Sequence, residues 1–293
     1  MILVTGGAGF IGSHLVDKLV ERNYEVKVLD NFSSGKWENI IHQIVTHRVK
    51  VIRGDIRSEE VLDFALDDVD VVFHLAANPE VRFGVPQEHF ENNILGTFKL
   101  LEMMRKKDIT LIVFASSSTV YGDAAILPTD ENYSPMKPIS VYGASKLACE
   151  SLISSYAYSY GFSSVALRYA NVVGPRSKRG VIYDFINKLL KNPRELEILG
   201  DGTQTKSYIW IDDAIDATIV AWENISRGFE AYNVGSIDAI SVREVADIIV
   251  DVMGLSDVKY RFTGGVEGRG WIGDVKYMHL KIEKLMNLGW KPR

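Results

Sequence analysis

The 293-residue sequence has a single cysteine, Cys149, so no intrachain disulfide framework can brace the fold. That fits a reducing interior. Cys149 sits in a helical pattern beside Lys146 and reads as a small packed residue rather than a nucleophile. Histidine is scarce as well: six residues lie scattered, no pair has metal-ligand spacing, and no metal is expected. His74, at a strand end, reads as packed core, and His14 as a helix residue. Positive charge is in deficit, with 33 Lys and Arg against 38 Asp and Glu, and the net −5 argues against an electrostatic nucleic-acid binder. The aromatics follow no base-stacking pattern. No apolar run approaches the roughly 20 residues of a membrane span, and no charged leader or cleavage site precedes the first strand. Repeats and low-complexity tracts are missing too. These absences leave the expectation of a soluble cytoplasmic protein, long enough for one large domain or for two that share a cleft.

Hydrophobic rhythm supplies the fold. Met1 to Thr5 is a short apolar run that meets a glycine cluster, and Ile11, Leu15 and Leu19 then recur at helical spacing, giving strand, turn, helix. The pattern predicts further strands near 26–30, 49–53, 70–76, 110–116 and 164–169, with helices near 58–66, 88–107 and 140–160. Strand 70–76 is nearly all apolar, as a strand covered on both faces should be. After Gly174-Pro175 the rhythm changes: helices near 183–191, 212–223 and 242–253 alternate with strands near 195–199, 232–234 and 259–262. The fold class is therefore α/β, a Rossmann-type doubly wound parallel sheet with a smaller interleaved α/β lobe. Residues 1–173 with about 206–235 form the nucleotide-binding domain in this reading, and about 174–205 with 236–293 the substrate lobe.

Gly6-Gly7-Ala8-Gly9-Phe10-Ile11-Gly12 satisfies G-x-G-x-x-G through Gly7, Gly9 and Gly12, and G-x-x-G-x-x-G through Gly6, Gly9 and Gly12. Either spacing permits a tight turn and lets a pyrophosphate approach the backbone at a helix N-terminus. Alone the pattern is weak. Here it follows a strand, opens a helix, and is answered by Asp30 at the end of the next strand. Asp30 is placed to accept hydrogen bonds from the adenosine ribose and to repel a 2′-phosphate, which favours NAD, with Lys36 nearby as the one feature that keeps NADP open. Asp55, in Gly54-Asp55-Ile56, reads equally well as an adenine contact and as a turn residue.

Tyr142-Gly143-Ala144-Ser145-Lys146 puts a phenol and an ammonium four residues apart on one helix face. A free phenol has a pKa of about 10, and lowering it to about 7 takes roughly 4 kcal/mol. A cation ~4 Å away at intermediate dielectric offers about that much. Lys146, helped by a positively charged nicotinamide, would make Tyr142 a base near neutral pH. By itself Y-x-x-x-K also describes an exposed helix with a surface lysine. The run Ser116-Ser117-Ser118-Thr119-Val120-Tyr121-Gly122 raises it, because it ends the fifth strand at the edge where open α/β sheets bind ligands.

With His74-Leu75-Ala76-Ala77, Asn93-Ile94-Leu95-Gly96-Thr97 and Leu167-Arg168-Tyr169-Ala170-Asn171-Val172-Val173-Gly174-Pro175, these motifs reach a resemblance. From Met1 to about Pro292 the chain resembles the extended short-chain dehydrogenase/reductases, and within them the UDP-glucose 4-epimerase family. The resemblance implies an NAD site drawn from Gly6, Gly9, Phe10, Ile11, Gly12, Asp30 and Asn31, with Asp55, Ile56, Leu75, Ala76, Ala77 and Asn93. It implies Ser117 as the catalytic hydroxyl, Tyr142 as the base and Lys146 as the ribose-binding cation, the last two also touching the cofactor. Ser118, Asn171, Lys206, Arg269 and Asp274 would join Ser117 in binding a UDP-sugar, and Gly200–Lys206 resembles the segment that closes over the diphosphate. Two departures stand out. Lys206-Ser207 replaces the usual arginine and aspartate, and Arg269 precedes Asp274 by five residues rather than three. A lysine neutralises phosphate as a point charge, without bidentate geometry.

The leading expectation is NAD-dependent 4-epimerisation of UDP-glucose and UDP-galactose by a homodimer built on the helices near 88–107 and 140–160. A 4,6-dehydratase of this group carries an Asp-Glu pair after the catalytic hydroxyl residue, whereas this chain has Ser118-Thr119. An epimerase or decarboxylase acting on UDP-glucuronate or UDP-N-acetylglucosamine is the alternative. Met278 resembles by position a family site whose size limits a 2-acetamido group. A non-catalytic NAD sensor on the same fold is a third reading, opposed by the presence of both Tyr142 and Lys146.

Overall fold

Every residue of Ile2–Thr5, Val26–Asp30 and Val71–His74 is buried, as strands sandwiched between helices must be. The computed structural model describes residues 1–293. The chain runs β1 (Ile2–Thr5), α1 (Phe10–Glu21), β2 (Val26–Asp30), α2 (Ile41–Val45), β3 (Val49–Arg53), α3 (Glu59–Ala65), β4 (Val71–His74), α4 (Pro86–His89) and α5 (Gly96–Lys106). It continues β5 (Leu111–Ser117), α6 (Val141–Tyr160), β6 (Ser163–Tyr169), β7 (Asn171–Val173), α7 (Val181–Lys191), β8 (Glu195–Leu199), β9 (Thr205–Lys206) and β10 (Tyr208–Trp210). It closes with α8 (Ile211–Glu223), β11 (Gly228–Val234), β12 (Ile240–Ser241), α9 (Val242–Val252), β13 (Lys259–Thr263), β14 (Tyr277–Met278) and α10 (Glu283–Met286).

Seven parallel strands form one sheet in the order β11-β6-β5-β4-β1-β2-β3. Chain order reverses between β1 and β4, and a reversal of this kind opens a crevice at the carboxyl edge. Helices α1 and α8 cover one face through Leu15, Leu19, Ile215 and Ile219. Helices α3, α5 and α6 cover the other through Leu62, Leu100 and Ile153. This is the doubly wound Rossmann-type sheet expected. In the smaller lobe α7 and α9 share a separate apolar cluster with the parallel pair β8–β13, centred on Phe185, Leu189, Leu196, Ile198, Val245 and Ile249. No helix is long and apolar enough to cross a membrane.

Local capping sets the registers that matter. Ser140 accepts the N–H of Gly143 at the start of α6, so Tyr142 falls in the first turn of that helix. Ser58 and Ser241 do the same for α3 and α9, the latter in a reciprocal box with Glu244. The helix expected across 88–107 is present and runs unbroken from Pro86 to Lys106, with a change of pitch within it. Between α4 and α5, residues Phe90–Leu95 form a π-helical turn. Its centre is Asn93, whose carbonyl takes the Thr97 hydroxyl at 2.5 Å and the Cys149 thiol at 3.3 Å.

Candidate active site

The first turn of α1 starts at Gly9 with no side-chain cap, which leaves its N–H groups open to an anion. The preceding loop is drawn tight by residues without a side chain. A Cβ on Gly6, whose φ is +71°, would lie 2.7 Å from the Ala76 nitrogen, and one on Gly12 would lie 2.2 Å from the Gly6 oxygen. Asp30, 7% exposed, ties this loop to β2: one carboxylate oxygen accepts the Ala8 N–H at 2.9 Å and the other the Phe32 N–H at 2.7 Å. Burial pushes its carboxyl above the usual range and the two N–H groups pull it back. An uncapped helix start, a loop that excludes side chains and a carboxylate at the strand end suit the pyrophosphate and ribose of a dinucleotide.

Several other nominated residues are otherwise engaged. Asp55 accepts Nε and Nη2 of Arg57 at 2.9 and 2.7 Å, and that guanidinium holds its carboxyl below the usual range. Asn31 reaches Asp55 at 3.5 Å. Ile56 is buried in the apolar cluster beneath the sheet. The Asn93 side chain, 2% exposed, accepts the Asn78 N–H at 2.7 Å and donates to Ser145 Oγ at 2.8 Å, so it fastens the loop after β4 to α6. Leu75, Ala76 and Ala77 follow β4 directly, against Gly6. His74 is a core residue held between Thr5 and Thr97 hydroxyls at 2.7 and 2.9 Å, and burial lowers its pKa to about 3.

Ser117 ends β5, and its Oγ caps the next turn by accepting from Thr119 N at 3.2 Å and Thr119 Oγ1 at 2.9 Å. Ser118 opens that turn. The Tyr142 phenol lies beside Ser117. Burial pushes it up to about 12, while the Ser117 hydroxyl pulls it down. Lys146, one turn on, donates to the Ala115 carbonyl at 2.7 Å, and its Nζ lies 5.8 Å from the centroid of the Tyr142 ring. Burial draws the ammonium down to about 8. In the chain alone burial dominates at the phenol; the lowering expected from Lys146 was tied to the positive charge of a bound nicotinamide.

Asn171, on β7, donates its side-chain amide to the Ser207 carbonyl at 3.2 Å. Lys206 pairs with Asp274, which is 3% exposed and also accepts the Gly270 N–H at 3.0 Å. Arg269 is spent on Asp123 at 2.9 Å and on the Asp274 carbonyl at 2.7 Å. Both nominated cations thus already have an acidic partner. Three further residues were not singled out by spacing. His89 meets the Tyr142 ring edge-on, with centroids 6.0 Å apart. Arg82 lies 5.8 Å from the Trp271 ring, and the Trp271 indole N–H is buried without an acceptor. The second meeting joins the loop after β4 to the segment before β14, and no local spacing marks it.

A parallel sheet with this crevice, this glycine loop and a Ser–Tyr–Lys group at its edge defines an extended short-chain dehydrogenase/reductase. Residues 2–235 match the NAD dependent epimerase/dehydratase family, and the chain belongs to it. Its cofactor is NAD. A putative UDP-glucose 4-epimerase of Methanocaldococcus jannaschii is 43% identical over 304 residues, covering 100% of this chain and 93% of the relative. The crystal structure of a UDP-galactose 4-epimerase is 49% identical with a TM-score of 0.87, over 99% of this chain and 92% of that one. A UDP-glucuronic acid 4-epimerase from Bacillus cereus, solved with NAD and a fluorinated UDP-glucuronic acid, is 34% identical with a TM-score of 0.90, over 99% and 93%.

Proposed function

We propose that the chain interconverts UDP-glucose and UDP-galactose by 4-epimerisation through a transient 4-keto sugar. The observation that carries this reading is the Ser117, Tyr142 and Lys146 group at the carboxyl edge of the sheet, with Ser118 and Thr119 after Ser117 in place of an acid pair. The likeness to a putative UDP-glucose 4-epimerase and to a UDP-galactose 4-epimerase supports it. When bound, NAD supplies a hydride acceptor that gives back what it takes, and a positive charge near the phenol.

The chain's own residues manage the proton and the sugar. Tyr142 Oη takes the proton of the 4-hydroxyl as the C4–H bond breaks, and Ser117 hydrogen-bonds the same oxygen. The ketone then turns over in the cleft, and Tyr142 returns the proton to the oxygen on the opposite configuration. Lys146 holds the ribose and keeps a positive field at the phenol. Lys206 and Arg269 face the diphosphate, and Asn171 the sugar. Two copies of the chain, paired through α5 and α6, form the working unit.

The test is incubation of purified protein with UDP-galactose, without added reductant, followed by chromatography. UDP-glucose rising to an equilibrium ratio with no net NADH is the expected result. UDP-galactose unchanged in the presence of NAD sinks the substrate assignment. Turnover of UDP-glucuronate or UDP-N-acetylglucosamine in its place reassigns the sugar.

A further inference from the structure

Tyr142, Lys146 and Glu150 stand four residues apart on one stripe of α6, and Glu150 is the member for which the chemistry above has no use. It is 3% exposed, as is Arg168 on β6, which grips it with Nη2 to Oε2 at 2.7 Å and Nε to Oε1 at 3.0 Å. Ser116, the residue before Ser117, donates its hydroxyl to the same carboxylate. Arg168 Nη1 reaches the Tyr121 hydroxyl at 2.8 Å, at the far end of the turn that Ser117 caps. The Tyr121 hydroxyl donates to Asn233 Oδ1 at 2.8 Å, and Asn233 Nδ2 donates to the carbonyls of Thr129 and Lys281, both at 2.9 Å. The bonds therefore run from the catalytic helix to both flanks of Ser117 and on to the backbone at Thr129 and Lys281.

A buried ion pair of this kind adds little stability over apolar side chains of the same size, because desolvation offsets the attraction. Its place beside the reacting groups is what calls for a reason. Lys146 is faced by Tyr142, Cys149 and Glu150 from its own helix, by His74 from β4, and by the Phe114 ring and Ala115 carbonyl of β5. The phenol, the thiol and the imidazole are all held neutral by burial. Cys149 and then Glu150 act against the burial that draws Lys146 down, and Glu150, one turn further along the same stripe, is the carboxylate of the two.

We propose that Glu150, gripped by Arg168, is a positioning residue for the reaction: it supplies the counter-charge of Lys146 and holds the Ser117 strand end in register with Tyr142. The inference rests on the 4-epimerase reading for its kinetic part only. Ionisation of Lys146 is read directly in the NAD-loaded protein by NMR titration of 15N-labelled lysines, with Lys146→Met to assign the signal. In Glu150→Gln the midpoint is expected to fall by about one pH unit. The alkaline limb of kcat should move with it, while KM stays within about twofold. Tyr121→Phe, which removes two hydrogen bonds and no charge, should leave the midpoint where it is. Because Glu150→Gln strands a buried guanidinium, the double variant Glu150→Met/Arg168→Met serves as the fold-safe form, and its midpoint should also fall. A wild-type midpoint in the double variant, or a kcat loss with an unmoved alkaline limb, overturns the proposal. Absence of turnover in the wild type overturns the 4-epimerase reading instead, and leaves the titration to decide the role of Glu150.

Discussion

Burial moves Tyr142 and Lys146 in opposite directions, and each movement opposes the charged form that base catalysis needs: the phenol rises to about 12 and the ammonium falls to about 8. With its pKa drawn down to about 8, Lys146 is charged on the acid side of that value and loses its charge as pH rises through it, so kcat measured against pH should fall on the alkaline side. Removing the Tyr142 oxygen with Tyr142→Phe should cut turnover by about 10²–10⁴-fold and leave NAD in the protein, measured by absorbance after heat release; undiminished turnover would remove Tyr142 as the base. In the loop, Gly12→Ala sets a new Cβ 2.2 Å from the Gly6 oxygen, backbone against backbone. That variant should purify without NAD and melt at a lower temperature, whereas wild-type NAD content would dismiss the cradle. Both positions could be read from sequence because each depends on local spacing: the glycines set one turn, and the tyrosine and lysine share one helix face. The partners of Lys206 and Arg269 could not be read in the same way. Asp274 lies 68 residues from Lys206 and Asp123 lies 146 from Arg269, and only the folded chain brings these charges together.

At the scale of elements, strands and helices were legible wherever apolar period and caps agreed, as along α1, β2 and α6. After Pro86 the helix was legible but its pitch was not: one helix runs from Pro86 to Lys106, yet Phe90–Leu95 widens into a π turn. The cause lies in partners that no local pattern reveals: Asn78, Ser145 and Cys149 all bond to Asn93. The widened turn aims the Asn93 amide sideways and ties the loop after β4, with Arg82 on it, to the helix that carries Tyr142. Asn93→Ala leaves the Asn78 N–H and the Ser145 hydroxyl short of a partner. The expected cost is about 1–3 kcal/mol, read as a lower urea midpoint with an unchanged m-value. An unshifted midpoint would mean that water replaces the tie at no cost.

At the scale of the whole molecule, the sheet leaves α5 and α6 with apolar side chains that nothing in the chain covers. Phe98 on α5 is 42% exposed and Tyr158 on α6 is 94% exposed. Along α6, Ala144, Ala148, Ser151 and Ser155 follow one another at spacings of four and three, a seam of small residues that lets another helix approach closely, with Tyr158 beyond its end. A two-fold axis through that seam would set two α5–α6 pairs together as a four-helix bundle and bury the same patch on each copy. Tyr142 lies at the start of the same α6, so the pairing would stiffen the helix that carries the base. Phe98→Glu would place a carboxylate on the exposed face of α5 in both copies. Size-exclusion chromatography with light scattering should give the wild type twice the chain mass of 32.8 kDa and the variant a single chain. The variant should keep its NAD, because the glycine loop lies on β1 and α1, remote from the seam in sequence. A wild type that runs as one chain would overturn the pairing and leave the exposed faces of α5 and α6 as ordinary surface.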